Sequence, residues 1–287
     1  MTKRDIPRLG VHVSVAGGLI NGLIRGEELG CEALQIFTKN QRRWNHPPLE
    51  EATAEEFREA FPKYGAPPIA SHGAYLLNLA AEGNEVAEKT MANLTDELWR
   101  CQMLALPYLV LHPGSHGGAG VEEGVKRIAA NIGEALTRSG NEVTTVLLET
   151  TSGAGKTVGG EFSHLRDIIA ASQMPERLGV CVDTCHIFAA GYELRTNEGY
   201  EETVEKLSRT ITLERVNFFH LNDSLGVLGS KKDRHTHIGK GELGLAPFGF
   251  LMNDLRFREV PMVLETPDGD NGEMDSVNLS TLRSLKV

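Results

Sequence analysis

Three features of this sequence predict an α/β fold, a single (β/α)8 TIM barrel with its active site at the C-terminal ends of the strands. Short apolar segments recur eight times between Leu9 and Glu265. The stretches between them carry apolar residues at helical spacing. No Gly-x-Gly-x-x-Gly turn follows the first apolar segment, which counts against the open doubly wound sheet, the runner-up. No linker or shift of composition marks a second domain, and α/β barrels routinely form one domain at about 250 residues. One domain over residues 1–287 is therefore expected.

The candidate strands are Leu9–Val15, Ala33–Thr38, Pro68–His72, Tyr108–His112, Thr144–Glu149, Leu178–Asp183, Arg215–His220 and Pro261–Glu265. The sixth is typical: Gly179 to Val182 is a short apolar run with valines, as a strand buried on both faces requires, and it stops at Asp183. Helical period is clearest in two intervals. Ala87, Met91, Leu94, Leu98, Cys101 and Ala105 recur at spacings of four and three, and Val121, Val125, Ile128, Ile132 and Leu136 do the same. Two loops are longer than the rest, Thr38–Glu50 after strand two and Leu221–Leu243 after strand seven. Both belong to the class that builds barrel active sites.

Composition is that of an ordinary globular chain, 40% hydrophobic and 24% charged. No run of about 18 apolar residues exists to span a membrane, and the first residues lack the apolar region of a secretory signal. The four cysteines, Cys31, Cys101, Cys181 and Cys185, form neither a disulfide framework nor a Cys-x-x-Cys set, so a reducing cytoplasm is expected. A formal net charge of −10 argues at first against a polyanionic partner. Where acids are metal ligands, however, bound cations reverse the local field.

The strand ends carry the chemistry. They read His12, Thr38, His72, His112, Glu149, Asp183 followed by His186, His220 and Glu265, with Asp233 and His235 in the loop after strand seven. A barrel gathers these ends around one mouth. Setting His12 and Thr38 aside, nine imidazole and carboxylate groups remain. An ionisable group there is costly unless it is paired or bound to metal. Imidazole and carboxylate without thiolate suit zinc, and also manganese or iron. Nine exceed the needs of one four-coordinate ion, which argues for a multinuclear site. Other signals are weaker. Gly155-Lys156-Thr157 ends like a phosphate-binding loop, but Thr150 stands where its first glycine belongs. Cys181 and Cys185 read as packed thiols. His46 and His164 fall off the strand-end pattern, while either His235 or His237 could ligate.

Several segments together resemble the endonuclease IV family of AP endonucleases, barrel enzymes with three zinc ions. They are Phe37–Trp44 (FTKNQRRW), His112–His116 (HPGSH), Leu148–Thr150 (LET), Val182–His186 (VDTCH), His220–Asp223 (HLND) and Asp233–His235 (DRH). The likeness follows the family's order over nearly the whole chain. It implies that His72, His112 and Glu149 hold one zinc. A second would share Glu149 and add Asp183, His220 and Glu265, and a third would take His186, Asp233 and His235, which decides against His237. Manganese at one or more positions is compatible. The resemblance implies cleavage 5′ to an abasic site in double-stranded DNA, leaving a 3′-hydroxyl and a 5′-deoxyribose phosphate, with Glu149 and Glu265 as catalytic carboxylates. Arg42 and Tyr75 match residues that enter DNA at the lesion, while His72-Gly73-Ala74-Tyr75 departs from the family where larger polar residues can follow the histidine. Lys39 and Gln41 are expected to touch DNA as well. Arg43, Lys231, Lys232 and Lys240 could track phosphates, and Trp44 reads equally as a stacking surface or as loop packing. No membrane and no organic cofactor are expected, and the chain is expected to be a monomer. The alternative is a metal-dependent sugar isomerase or epimerase of related architecture, which would need fewer ligands.

Overall fold

A computed structural model describes residues 6–267 and 272–287. Its barrel strands are β1 (Leu9–His12), β2 (Ala33–Ile36), β3 (Ile69–His72), β4 (Tyr108–Leu111), β5 (Thr145–Glu149), β6 (Leu178–Asp183) and β7 (Val216–Leu221). A short antiparallel ribbon follows, β8 (Asp223–Ser224) with β9 (His235–Thr236). The last strand, β10 (Met262–Leu264), pairs in parallel with both β7 and β1 and closes the barrel. The helices are α1 (Leu19–Glu28), α2 (Glu51–Ala60), α3 (Glu85–Leu104), α4 (Val121–Ser139), α5 (Phe162–Ala171), α6 (Thr184–Ala190), α7 (Asn197–Ile211), α8 (Ala246–Asn253) and α9 (Glu273–Ser284). The eight-stranded barrel predicted from the sequence is thus the fold.

Side chains alternate along each strand. One set, including Val11, Leu34, Ile69, Leu109, Leu148, Val182 and Leu264, joins the helices in the main core. The other fills the lumen, where Ala33, Ala70, Val110, Leu147, Cys181, Phe218 and Val263 form a separate fully buried cluster. Gly10 belongs to the β1–β2 contact, and a Cβ there would meet the Ala33 carbonyl at 1.6 Å, so no larger residue lets the two strands pair. Among the helices, α3 is capped by Asn84, whose side chain accepts from the Ala87 amide, worth about 1 kcal/mol. The amphipathic α4 ends on Gly140 at φ 62°, a left-handed turn that glycine adopts without strain.

Strand bounds differ from the sequence reading by a residue at several ends and most at two strands. β1 stops at His12 and β2 at Ile36, short of Val15 and Thr38, because the chain leaves the barrel to build its loops. The β8–β9 ribbon was not foreseen, since strands of two residues carry no readable period. No helix among the described residues is long and apolar enough to cross a membrane.

Candidate metal centre

The residue two positions beyond each member of the lumen cluster points to the same side, one layer nearer the C-terminal mouth. On β2 to β7 and β10 these are Gln35, His72, His112, Glu149, Asp183, His220 and Glu265. On β1 the matching position, two beyond Gly10, is His12. An apolar layer therefore supports a layer that is polar or ionisable at every strand. Glu149, Asp183, His220 and Gln35 are wholly buried in it.

Glu149 is the hub. Its Oε2 lies 3.1 Å from His72 Nε2 and 2.9 Å from His112 Nε2, while Oε1 lies 3.0 Å from His220 Nδ1 and 3.2 Å from His186 Nδ1. Glu265 Oε2 is 3.1 Å from His220 Nδ1, and Asp183 Oδ2 is 3.8 Å from it. At the rim, Asp233 reaches His186 Nε2 and His235 Nε2, each at 3.2 Å, and those two nitrogens are 3.3 Å apart. Donor atoms of His72, His112 and Glu149 lie within 4.8 Å of one another, as do those of Glu149, Asp183, His220 and Glu265, and those of Asp183, His186 and His235. Metal–ligand bonds of about 2.0–2.1 Å in a tetrahedron separate donors by roughly 3.3 Å. The spacing fits cations.

The tautomers fit as well. The outer nitrogen of each of four imidazoles meets an acceptor: His72 Nδ1 at Gly73 O (2.8 Å), His186 Nδ1 at Thr150 O (2.8 Å), His235 Nδ1 at Glu265 O (3.1 Å) and His220 Nε2 at Gln35 Oε1 (2.9 Å). Outer N–H groups donating there leave the inner nitrogens as lone pairs aimed at the cluster. With both rings neutral and their outer N–H groups so engaged, the inner nitrogens of His186 and His235 would be two lone pairs 3.3 Å apart, an arrangement that a proton or a cation relieves.

The local sequence fixes these directions. Asp183 Oδ1 accepts the His186 amide at 2.8 Å and so caps α6, which places His186 one turn above the strand end. Asn222 donates to Asp183 Oδ2 at 2.6 Å and accepts the Glu265 amide at 3.0 Å, tying β6 to β10 across β7. Asp223, wholly buried, accepts from the Ser224, Gly241 and Leu243 amides and folds the loop that carries Asp233 and His235. His237 turns away towards Asn278. His46 and His164 lie in other contacts, with Arg43 O and the Gly159 amide. Lys156 belongs to a bridge between the loops after β4 and β5, where its carbonyl accepts the His116 amide.

Burial disfavours charge on the imidazoles, yet the carboxylates outweigh it. Glu149 and Glu265 raise His72 and His220, Glu149 raises His112, and Asp183 with Asp233 and Glu149 raises His186. Asp183 and Asp233 push His235 up to about 9. Burial likewise opposes ionisation of Glu149 and Glu265, but the surrounding imidazoles hold both well below the carboxylate range. His12 goes the other way, held neutral by burial. The cluster demands positive charge, supplied by protons or by metal.

Around the mouth, His12, Phe37, Asn40, Gln41, Tyr75 and Glu265 line a groove of about 480 Å³. Tyr75, 58% exposed, stands over it with its ring 5.8 Å from Phe37 and 5.9 Å from His72. Arg42, Arg43, Lys231, Lys232 and Lys240 are exposed, and Trp44 packs against the core. Lys39, expected to touch DNA, also lines this groove, but its ammonium turns inward. Its side chain is 3% exposed, and its ammonium donates to Asp96 (2.7 Å) and the Asn93 carbonyl (2.8 Å), with Glu97 at 3.3 Å. Facing inward, it anchors the loop.

The family described as xylose isomerase-like TIM barrel matches residues 25–285. Probable endonuclease 4 of Chloroflexus aurantiacus is 47% identical over 280 residues, covering 98% of both chains. Probable endonuclease 4 of Geobacter sulfurreducens is 45% identical, covering 96% of this chain and 94% of its own. Endonuclease IV from Thermus thermophilus superposes with a TM-score of 0.87 at 37% identity, over 97% of this chain and 98% of that one. The chain belongs to the endonuclease IV family. A D-tagatose 3-epimerase-like protein superposes at TM-score 0.70 but 18% identity, a likeness of fold alone.

In this member of the endonuclease IV family, the sequence reading missed Gln35. Thr38, the expected end of strand two, instead donates to Glu97 at 2.6 Å, beside the Lys39 anchor. Gln35 accepts from His220 and donates to Glu265 Oε1, so one amide orients two members of the cluster. Counting two residues on from Ala33 would have found it.

Proposed function

We propose that this protein is a zinc-dependent AP endonuclease that hydrolyses the phosphodiester 5′ to abasic sites in double-stranded DNA, leaving a 3′-hydroxyl and a 5′-deoxyribose phosphate. The observation that carries the reading is Glu149, whose Oε2 faces His72 Nε2 and His112 Nε2 while its Oε1 faces His220 Nδ1. Family membership supports a DNA-cleaving hydrolase, and the donor chemistry supports metal use. His72, His112 and Glu149 would hold one zinc, Glu149, Asp183, His220 and Glu265 a second, and His186, Asp233 and His235 a third. When bound, zinc supplies Lewis acidity, lowering the pKa of water towards about 7 and neutralising phosphate.

The chain's own residues supply the rest. Glu149 sets the spacing between the two inner positions, and Glu265 completes the wall next to the groove. Tyr75 offers a flat face and Arg42 and Gln41 polar contacts to a nucleotide swung out of the duplex, which is cheap when no base is left to unpair. Exposed Arg43, Lys231, Lys232 and Lys240 would follow phosphates without reading sequence. The reading includes one barrel domain acting as a monomer in the cytoplasm.

The test pairs elemental analysis of the purified protein with nicking of a duplex carrying one abasic site. Three zinc ions per chain and a 3′-hydroxyl product are expected, with nicking lost on chelation. Ketose epimerisation with one or two manganese ions, and intact DNA, would transfer the site to the alternative.

A further inference from the structure

Cys185 precedes His186 on α6 and takes no part in the ligand sets proposed above. It is wholly buried, beneath the ribbon in which Ser224 pairs with His235. Its sulfur lies against the Ser224 hydroxyl and the Arg234 backbone. The sulfur, an Asp233 oxygen and a His235 nitrogen all lie within 4.8 Å of one another, a donor set of its own. Asp233 and His235 are thus shared by two neighbouring sets, one completed by an imidazole and the other by a thiol.

We infer that Cys185, Asp233 and His235 form a second cation site at the rim, which captures thiophilic divalent ions such as cadmium or mercury in exchange for the ion held through His186. Thiolate favours soft cations, whereas imidazole and carboxylate suit zinc, so the identity of the ion decides which set is used. The exchange balances without redox chemistry. The Cys185 S–H bond breaks, a sulfur–metal bond forms, the proton passes to solvent, and the zinc leaves as a divalent ion. The inference rests on the metal reading of the rim, and its test reads metal and sulfur instead of DNA cleavage.

The full-length, zinc-loaded protein is titrated with cadmium while ultraviolet absorption and released zinc are followed. A sulfur-to-cadmium charge-transfer band is expected to saturate as a single zinc is released. Cys185→Ser and Cys185→Ala should bind zinc as the parent does and show no band. Cys181→Ser, which alters the lumen cluster, should keep it. X-ray absorption at the cadmium edge of the unaltered protein should find one sulfur neighbour, a result independent of how the variants fold. No band in the parent, a band surviving in Cys185→Ser, or a shell of nitrogen and oxygen alone would each overturn the inference. Abasic-site nicking by untreated protein is measured in parallel, so failure of the proposed function is recorded separately.

Discussion

In the proposed cluster Glu149 would serve two cations with one carboxylate. It is wholly buried, and imidazoles approach both oxygens. Glu149→Gln keeps the shape but replaces one oxygen by an amide that repels a cation. Loss of the two inner ions and a fall in nicking beyond about 100-fold are expected, more than the 10–100-fold typical of residues one shell out. Metal counting with single-turnover nicking checks this, and near-parental turnover would refute a bridging role. Gln35→Met tests that outer shell. It removes the acceptor for His220 and the donor to Glu265 at similar volume, so binding of the middle ion should weaken by about 10–100-fold while the rim ion is unchanged. Competition with a chelator measures it. The ionisable members of the layer were legible because a carboxylate or imidazole closing an apolar run is conspicuous. Gln35 was not, because an uncharged amide inside a strand raises no alarm until the lumen-facing alternation is counted.

At the scale of elements, the loop after β2 is held from below. Lys39 is clamped by Asp96 and Glu97, Glu97 also accepts from Thr38 and Ser71, and Arg100 joins through Asp96. Removing one partner of a buried ion pair leaves the other uncompensated, at a cost of about 3–5 kcal/mol. Lys39→Met should lose that much stability in chemical denaturation, and Lys39→Met with Glu97→Gln should recover part of it. A loss below about 1 kcal/mol would mark Lys39 as a surface cation. The sequence displayed this loop's basic and aromatic content but not which cation turns inward. That choice is made by acids on α3, more than fifty residues further along the chain. The barrel itself was legible because short apolar runs recur eight times with amphipathic stretches between them. The β8–β9 ribbon was not, being set by Asp223 gathering amides from Gly241 and Leu243.

For the whole molecule, the ionisable layer links metal binding to stability. Without metal, the folded state raises its cluster imidazoles above the ordinary 6.5, with His235 up to about 9, and depresses Glu149 and Glu265 below 4.5. The raised imidazoles stabilise the fold fully below 6.5 and lose that contribution as pH climbs through their folded values. The depressed carboxylates stabilise it above 4.5 and lose theirs as pH falls through their folded values. Metal-free protein should therefore be most stable between about 4.5 and 6.5 and weaken towards alkaline pH. Zinc at the proposed positions would take the imidazoles neutral and release their protons, so its affinity should grow over the same interval in which the protons are lost. Its contribution to stability grows with affinity. The gap between the melting temperatures of zinc-loaded and chelated protein should accordingly widen from pH 6.5 to about 9. Thermal melts at fixed free zinc across that range measure it. A constant gap would mean that protons and metal do not compete for this layer of imidazoles, and with that the cation reading of the barrel mouth would fail.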